Sequence, residues 1–300
     1  ILKRTQEVDS LEAEIEDLQA TVNDPKRIRK IIIGELTEVR KKYAVPRRTD
    51  ILYEYEAENA QGEEDDTPDY PVHLFLSREG YLKKITPQSL RMASDQKYKE
   101  GDGPFLYWEG NNRDELLVFT DRQQCYKTRL SEFDDSKASV LGDYLPTKLG
   151  MDGEERVLWA CIPGDYSGQL LFCFENGKTA RVELAAYQTQ TRRKKLTGAY
   201  SDKAPLAAAF LVREDFELAV YSSDGRCMVF HTAVLAPKTT RTTQGVNVMA
   251  LKPKRTVTQV LPLAETAIVN AARYRARSLP VAGAILREED RGEKQLSLLE

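Results

Sequence analysis

Histidine is nearly missing from this chain of 300 residues: there are two, His73 and His231. Both sit in strand-like alternation, which leaves no material for a histidine-based triad or a zinc centre. Cysteine is scarce as well. Cys125, Cys161, Cys173 and Cys227 form no CxxC pair and lie in or beside strand patterns. They read as reduced core thiols of a cytoplasmic protein, not as disulfides or metal ligands. No apolar run approaches the roughly 18 residues of a membrane span, and the first residues do not read as a signal peptide. Phosphate-cradling glycine loops of the P-loop or dinucleotide kind are absent. Acid pairs such as Asp134-Asp135 and Glu154-Glu155 lack a glycosidase-like setting and read as surface acids. The net charge of −3 predicts no bulk affinity for nucleic acid, so the distribution of charge matters more than its sum.

What the chain does have is a repeat. Residues 74–85 (LFLSREGYLKKI) alternate, turn at Gly80 and alternate again, and the pattern returns at 116–130, 170–184 and 218–232. Each copy reads as a strand, a tight turn and a second strand with a cation near its start. The turns fall at Gly80, Gln123, Gly177 and Gly225, a period of roughly 40–55 residues. A weaker marker follows each turn by about 20 residues: Gly101, Gly142, Gly198 and Gln244-Gly245. One hairpin cannot bury its own apolar face, so the copies must stack, and a propeller-like array is the economical solution. Apolar runs at 105–108, 157–162, 207–212 and 248–251 suit an inner, doubly covered strand in each blade. Strand signal at 256–263 and 267–286 predicts a fifth blade, or a fifth and a split sixth.

Two amphipathic helices precede the repeats. Val8, Leu11, Ile15, Leu18 and Val22 make one seam; Asn23-Asp24-Pro25 ends that helix and caps the next, which carries Ile28, Ile31, Ile32, Leu36 and Val39. The chain opens at Ile1 in mid-pattern, which suggests a piece of a longer protein. The expected domains are helices over 1–50, an acidic linker over 51–71, the repeats over 72–290 and a charged tail over 291–300.

Cations recur at comparable places on the second strand of successive hairpins: Lys83 and Lys84, Lys127 and Arg129, Lys178 and Arg181, then Arg226. Others cluster between hairpins: Arg192, Arg193, Lys194 and Lys195; Lys238 and Arg241; Lys252, Lys254 and Arg255; Arg273, Arg275 and Arg277. On one edge of a disc they would form a curved positive track for a phosphate backbone, binding through counterion release and without sequence readout. Lys and Arg on exposed strand edges also serve simply to block aggregation.

The segment Lys41-Lys42-Tyr43-Ala44-Val45-Pro46-Arg47-Arg48-Thr49-Asp50-Ile51, the EGYLKKI hairpin and Arg241-Thr242-Thr243-Gln244-Gly245-Val246 resemble the A subunit of bacterial type IIA DNA topoisomerases, gyrase and topoisomerase IV. The resemblance covers most of the chain. It implies a mainly β fold, a five- or six-bladed β-pinwheel after two helices that end the DNA breakage-reunion core. It further implies non-specific binding and bending of duplex DNA along the rim, an A-subunit homodimer, and a B subunit that brings ATP and magnesium. No cofactor is expected in this piece, and the location is the cytoplasm, beside the nucleoid. The catalytic tyrosine region of the family would precede Ile1, so this piece should not cut DNA. Gyrase subunits carry a QRRGGKG-type box after the first hairpin. The counterpart here, 87–103, keeps Arg91, Lys97, Lys99, Gly101 and Gly103 but has Asp95, Glu100 and Asp102 in place of a glycine–arginine run. This favours a topoisomerase IV-like domain over one that wraps DNA. The alternative of another class is a propeller that serves as a protein-interaction platform.

Overall fold

The computed structural model describes residues 2–44, 67–92, 95–189 and 194–291. The PRRT segment, the linker up to residue 66, Arg192, Arg193 and tail residues 292–300 lie outside them. The chain divides into two compact units, 1–64 and 65–300.

The first unit holds α1 (Leu2–Asn23) and α2 (Pro25–Tyr43). Asp24 caps α2 by accepting from the Lys26 amide, and Pro25 fills its first turn, where no amide donor is needed. Arg40, Lys41 and Lys42 sit in its last turn, where they complement the helix dipole. Arg27 pairs with Asp17 across the hairpin at 3.1 Å. Two helices alone cannot enclose two apolar stripes: Val8, Leu11, Ile15, Leu18, Ile31 and Leu36 are all about half exposed.

Among the described residues the second unit is built of four four-stranded sheets, against the expected five or six. The four hairpins form their centres: β1 (Pro71–Ser77) with β2 (Tyr81–Ile85), β4 (Glu115–Thr120) with β5 (Gln124–Arg129), β8 (Gln169–Phe174) with β9 (Lys178–Glu183), and β12 (Glu217–Ser222) with β13 (Arg226–His231). Each turn has three residues and ends at positive φ, by glycine in three blades and by Gln123 (φ 53°) in the second. An inner strand then pairs with the first strand of the same hairpin: β3 (Pro104–Asn111), β7 (Val157–Cys161), β11 (Leu206–Val212) and β15 (Val257–Pro262). The expected inner strand at 248–251 is not one. Val248 and Met249 are buried as core beside the third hairpin's turn, and the strand signal at 256–263 supplies β15 instead of a fifth blade.

The outer strand of each blade is lent by a later part of the chain. Thus β6 (Asp143–Tyr144) leaves the second hairpin and returns to β2, β10 (Lys195–Thr197) leaves the third and returns to β5, and β14 (Val246–Asn247) leaves the fourth and returns to β9. Two short 310 turns and β16 (Ala284–Ile285) close the series on β13. Gly142, Gly245 and Gly283 stand just before three of these strands at positive φ. A Cβ on them would lie 2.3, 2.1 and 2.7 Å from the carbonyl oxygens of Leu82, Thr179 and Cys227, so only glycine lets the returning chain come this close. In the second blade Lys195 takes that register and Gly198 follows the strand.

Apolar clusters fill the three successive interfaces. Leu74, Leu76 and Leu82 meet Leu116, Val118 and Leu130; Phe119, Cys125 and Trp159 meet Phe172, Tyr187 and Tyr200; Leu171 and Val212 meet Val220, Met228 and Phe230. A fully buried side chain of this size contributes about 1.5–3 kcal/mol. No comparable cluster among the described residues joins the fourth blade to the first. The end blades are covered locally. The short helix α3 (Pro87–Met92) brings Leu90 onto Phe75 and Ile85, and 263–286 lays Tyr274 and Ile268 over Ala219 and Val229. Inner strands of all four blades, through Trp108, Trp159, Phe210 and Pro262, line a central cavity of about 490 Å³.

Candidate nucleic-acid interface

The cations expected on the second strands do not form a rim. Lys83, Lys84 and Arg181 are 2, 3 and 9% exposed, so they are withdrawn from the expected DNA track. The fourth residue of the second strand points instead at the chain just ahead of the next blade. Lys84 donates to Asn112 Oδ1 at 2.7 Å, three residues before β4. Lys127 lies 5.3 Å from the ring centre of Tyr166, three residues before β8, and both reach Glu115. Arg181 pairs with Asp215 at 2.9 Å, two residues before β12. The Asp215 carboxyl is held below the usual range, first by the Thr232 hydroxyl and then by Arg181. The fourth blade, with no blade after it, has Val229 at this place. These cations latch blade to blade. Their charge is committed to partners that a burial pattern read from one strand does not show.

Lys83 has a second structural duty. Its ammonium donates to the carbonyls of Lys97 (2.6 Å) and Ala138 (3.1 Å) and to Gln96 Oε1 (3.3 Å), and it stands over the Tyr98 ring. Burial lowers its pKa. The same loop is tied again where Lys99 pairs with Glu79, the Glu79 amide meets Asp102, and the Arg78 amide meets the Gly103 carbonyl. The counterpart of the glycine-rich box is therefore fastened to the first blade. Arg91 and Lys97 are exposed on it.

Several remaining cations come together by topology. The chain that leads into each outer strand runs along the second strand of the blade it joins: Ser136 N to Lys84 O, Lys127 N to Lys194 O, Lys238 N to Arg181 O, and Ala276 N to Val229 O. Lys238 with Arg241, and Arg273, Arg275 and Arg277, thus lie in the segments that run along the outer edges of the third and fourth blades, while Lys194 stands directly ahead of β10 on the second. Lys238, Arg273 and Arg277 are exposed and form no ion pair among the described residues. Arg275 grips Glu217 with two 2.7 Å bonds, Lys194 reaches Glu132 at 3.3 Å, and Arg241 lies over Tyr187. Lys195 borders Tyr126 and Asp152.

Other expected contacts fall elsewhere. Lys252, Lys254 and Arg255 are exposed in the loop that crosses to β15, beside the third hairpin's turn and away from the outer edge. Lys178 and Arg226 open their strands, bonded to Gln244 and to Asp224 with the Gly283 carbonyl. Arg129 is exposed at the end of β5.

The first blade's outer edge was not singled out from the sequence, and it differs. Its connecting segment carries Glu132, Asp134 and Asp135 with Lys137, where the corresponding segments of the other blades carry cations. Asp135 pairs with the buried Lys84 at 3.1 Å, while Asp134 is exposed. The signal was present in the composition of 131–142, but its meaning required knowing to which blade that segment returns.

The four cysteines are free and buried. Burial pushes the thiols of Cys173 and Cys227 up to about 12, which suits packing and not nucleophilic chemistry. No described helix is long and apolar enough to cross a membrane.

No protein-family model matches the chain. The A subunit of DNA topoisomerase 4 from Bacillus subtilis is 26% identical over 230 residues, 75% of this chain and 27% of that protein. Its Staphylococcus aureus namesake is 23% identical over 295 residues, 96% of this chain and 36% of that protein. The chain thus spans about a third of the length of these relatives. A crystal structure of the C-terminal domain of DNA topoisomerase IV shares the fold, with a TM-score of 0.58 and 23% identity over 67% of this chain and 63% of that one. Hairpin repeat, lent outer strands and relatives agree: the chain is similar to the A subunits of DNA topoisomerase 4, and its blades share the fold of the C-terminal domain of DNA topoisomerase IV.

Proposed function

We propose that this chain binds duplex DNA without regard to sequence and bends it, presenting a DNA segment to the cleavage core of a type IIA topoisomerase. The observation that carries this reading is the clustering of cations in the outer-edge segments of the later blades, where Lys238 of the third and Arg273 and Arg277 of the fourth are exposed and carry no competing ion pair among the described residues. Such a row neutralises phosphates and releases counterions. Spaced over successive blades of a curved array, it favours a curved path for the duplex.

The fastening of 95–103 by Lys83, Glu79 and Arg78 supports a topoisomerase IV-like role over gyrase-like wrapping, because a loop held by its own carbonyls has little freedom to lie along DNA. In the assembled enzyme the A subunit would form a homodimer and work with a B subunit that uses ATP and magnesium, and the chain would act in the cytoplasm on the nucleoid. The exposed apolar stripes of α1 and α2 suit contacts with the rest of such an assembly.

Ligation of nicked circular DNA on saturating amounts of the chain tests the reading. Binding with no shift in linking number at low and moderate salt is expected. A positive shift would show wrapping and a gyrase-like role. No binding at low salt would favour the interaction platform.

A further inference from the structure

We infer that the DNA path follows the outer edges of the second, third and fourth blades and is turned away at the first. The inference rests on the DNA-binding reading above and gives it an extent and an end.

Two independent observations carry it. The first is the charge of the segment that returns to each blade. The chain returning to the second strand brings Lys194, Lys238 with Arg241, or Arg273, Arg275 and Arg277 to the later three blades. To the first it brings Asp134 and Asp135 against a single Lys137, Glu132 of the same connection being turned to Lys194 of the second blade. The lysine available to offset Asp135 is Lys84, which is buried and shared with Asn112, so it adds little to the outward field. Asp134 is exposed, and a phosphate within the roughly 10 Å Debye length at 0.1 M salt is repelled by it.

The second observation is the loop at 95–103. It is the first blade's remaining means of reaching DNA. Lys83 holds the Lys97 carbonyl, Asp102 accepts the Glu79 amide, and Lys99 is paired with Glu79. Lys83 of β2 and Lys99 of the loop are therefore committed to partners within the blade, the one buried and the other in a surface ion pair. A duplex entering at the fourth blade would leave the protein past the second, which limits contact to an arc.

The test uses the whole chain and a mixed-sequence duplex, with affinity measured against salt. Arg91→Ala with Lys137→Ala removes exposed cations of the first blade. Lys238→Ala with Arg277→Ala removes the same number from the third and fourth. The first pair is expected to leave affinity and salt slope unchanged. The second is expected to flatten the slope by roughly 2 and to weaken binding by about eightfold per contact at 0.1 M salt, following ~0.9 per phosphate contact. Asp134→Lys is expected to tighten binding and steepen the slope by about 0.9, because it admits the duplex to the first blade's edge. Equal losses from both pairs would overturn the inference and leave DNA binding standing. An unchanged Asp134→Lys would overturn the role of charge in the exclusion. Absence of binding by wild type would overturn the reading and the inference together.

Discussion

Replacing Arg181 with methionine should destabilise the pinwheel without weakening its hold on DNA. The guanidinium is 9% exposed. It donates to the Thr232 carbonyl at 2.9 Å, the Leu235 carbonyl at 3.4 Å and Gln169 Oε1 at 2.8 Å, and it pairs with Asp215 at 2.9 Å. Removing one member of a buried pair costs about 3–5 kcal/mol. Asp215 keeps the Thr232 hydroxyl and is 34% exposed, so water takes up part of its charge. The lower end, about 3 kcal/mol, is therefore expected. For a folded unit of roughly 200 residues that lowers Tm by about 6–12 °C. Thermal unfolding followed by tryptophan fluorescence reads it directly, since Trp108 and Trp159 both line the central cavity. Arg181→Lys should fall between, because it keeps the charge and loses the fork. A Tm within about 2 °C of wild type, or a severalfold loss of DNA affinity at an unchanged Tm, would refute the latch.

Two further predictions concern the returning strands and the end cap. Gly245→Ala meets a positive φ of 71° and the Thr179 carbonyl at 2.1 Å, so it should cost more than ~2 kcal/mol; Gly225→Ala, at the same φ with open space, should cost only about 1. Urea midpoints of the two variants check the difference. The Asp290 carboxyl is held low, chiefly by the Tyr274 hydroxyl and then by the Val269 amide. A depressed carboxylate contributes stability above its unfolded pKa near 3.9, and that contribution fades as pH falls through the lower folded value. Asp290→Asn should therefore lower Tm at pH 7, and the gap should close in acid below about pH 4.

The hairpins were legible because alternation and a turn glycine are local signals: Leu74 to Ile85 needs nothing from the rest of the chain. Helix ends were legible for the same reason, through Asp24 and Pro25. The outer strands were not, since Asp143–Tyr144 and Val246–Asn247 are two residues long and pair with a blade left behind in sequence. Without them the blade count could not be fixed, and Val248 and Met249 passed for a strand when they are core. The cation track was half legible. Recurrence at the second strand was real, but it marked latches: Arg181 and Asp215 are 34 residues apart, and nothing near either residue announces the pair. The segments between hairpins, which carry Lys238, Arg273 and Arg277, were read as basic from composition alone. Their place on the outer edge follows from the returning strands.

The most direct test of the central claim is the affinity of the chain for two duplexes of unrelated sequence, measured by fluorescence anisotropy across salt. Equal affinities and a log–log slope of several units, about 0.9 for each phosphate engaged, are predicted. Affinity that differs tenfold between the sequences, or that does not change with salt, would contradict it.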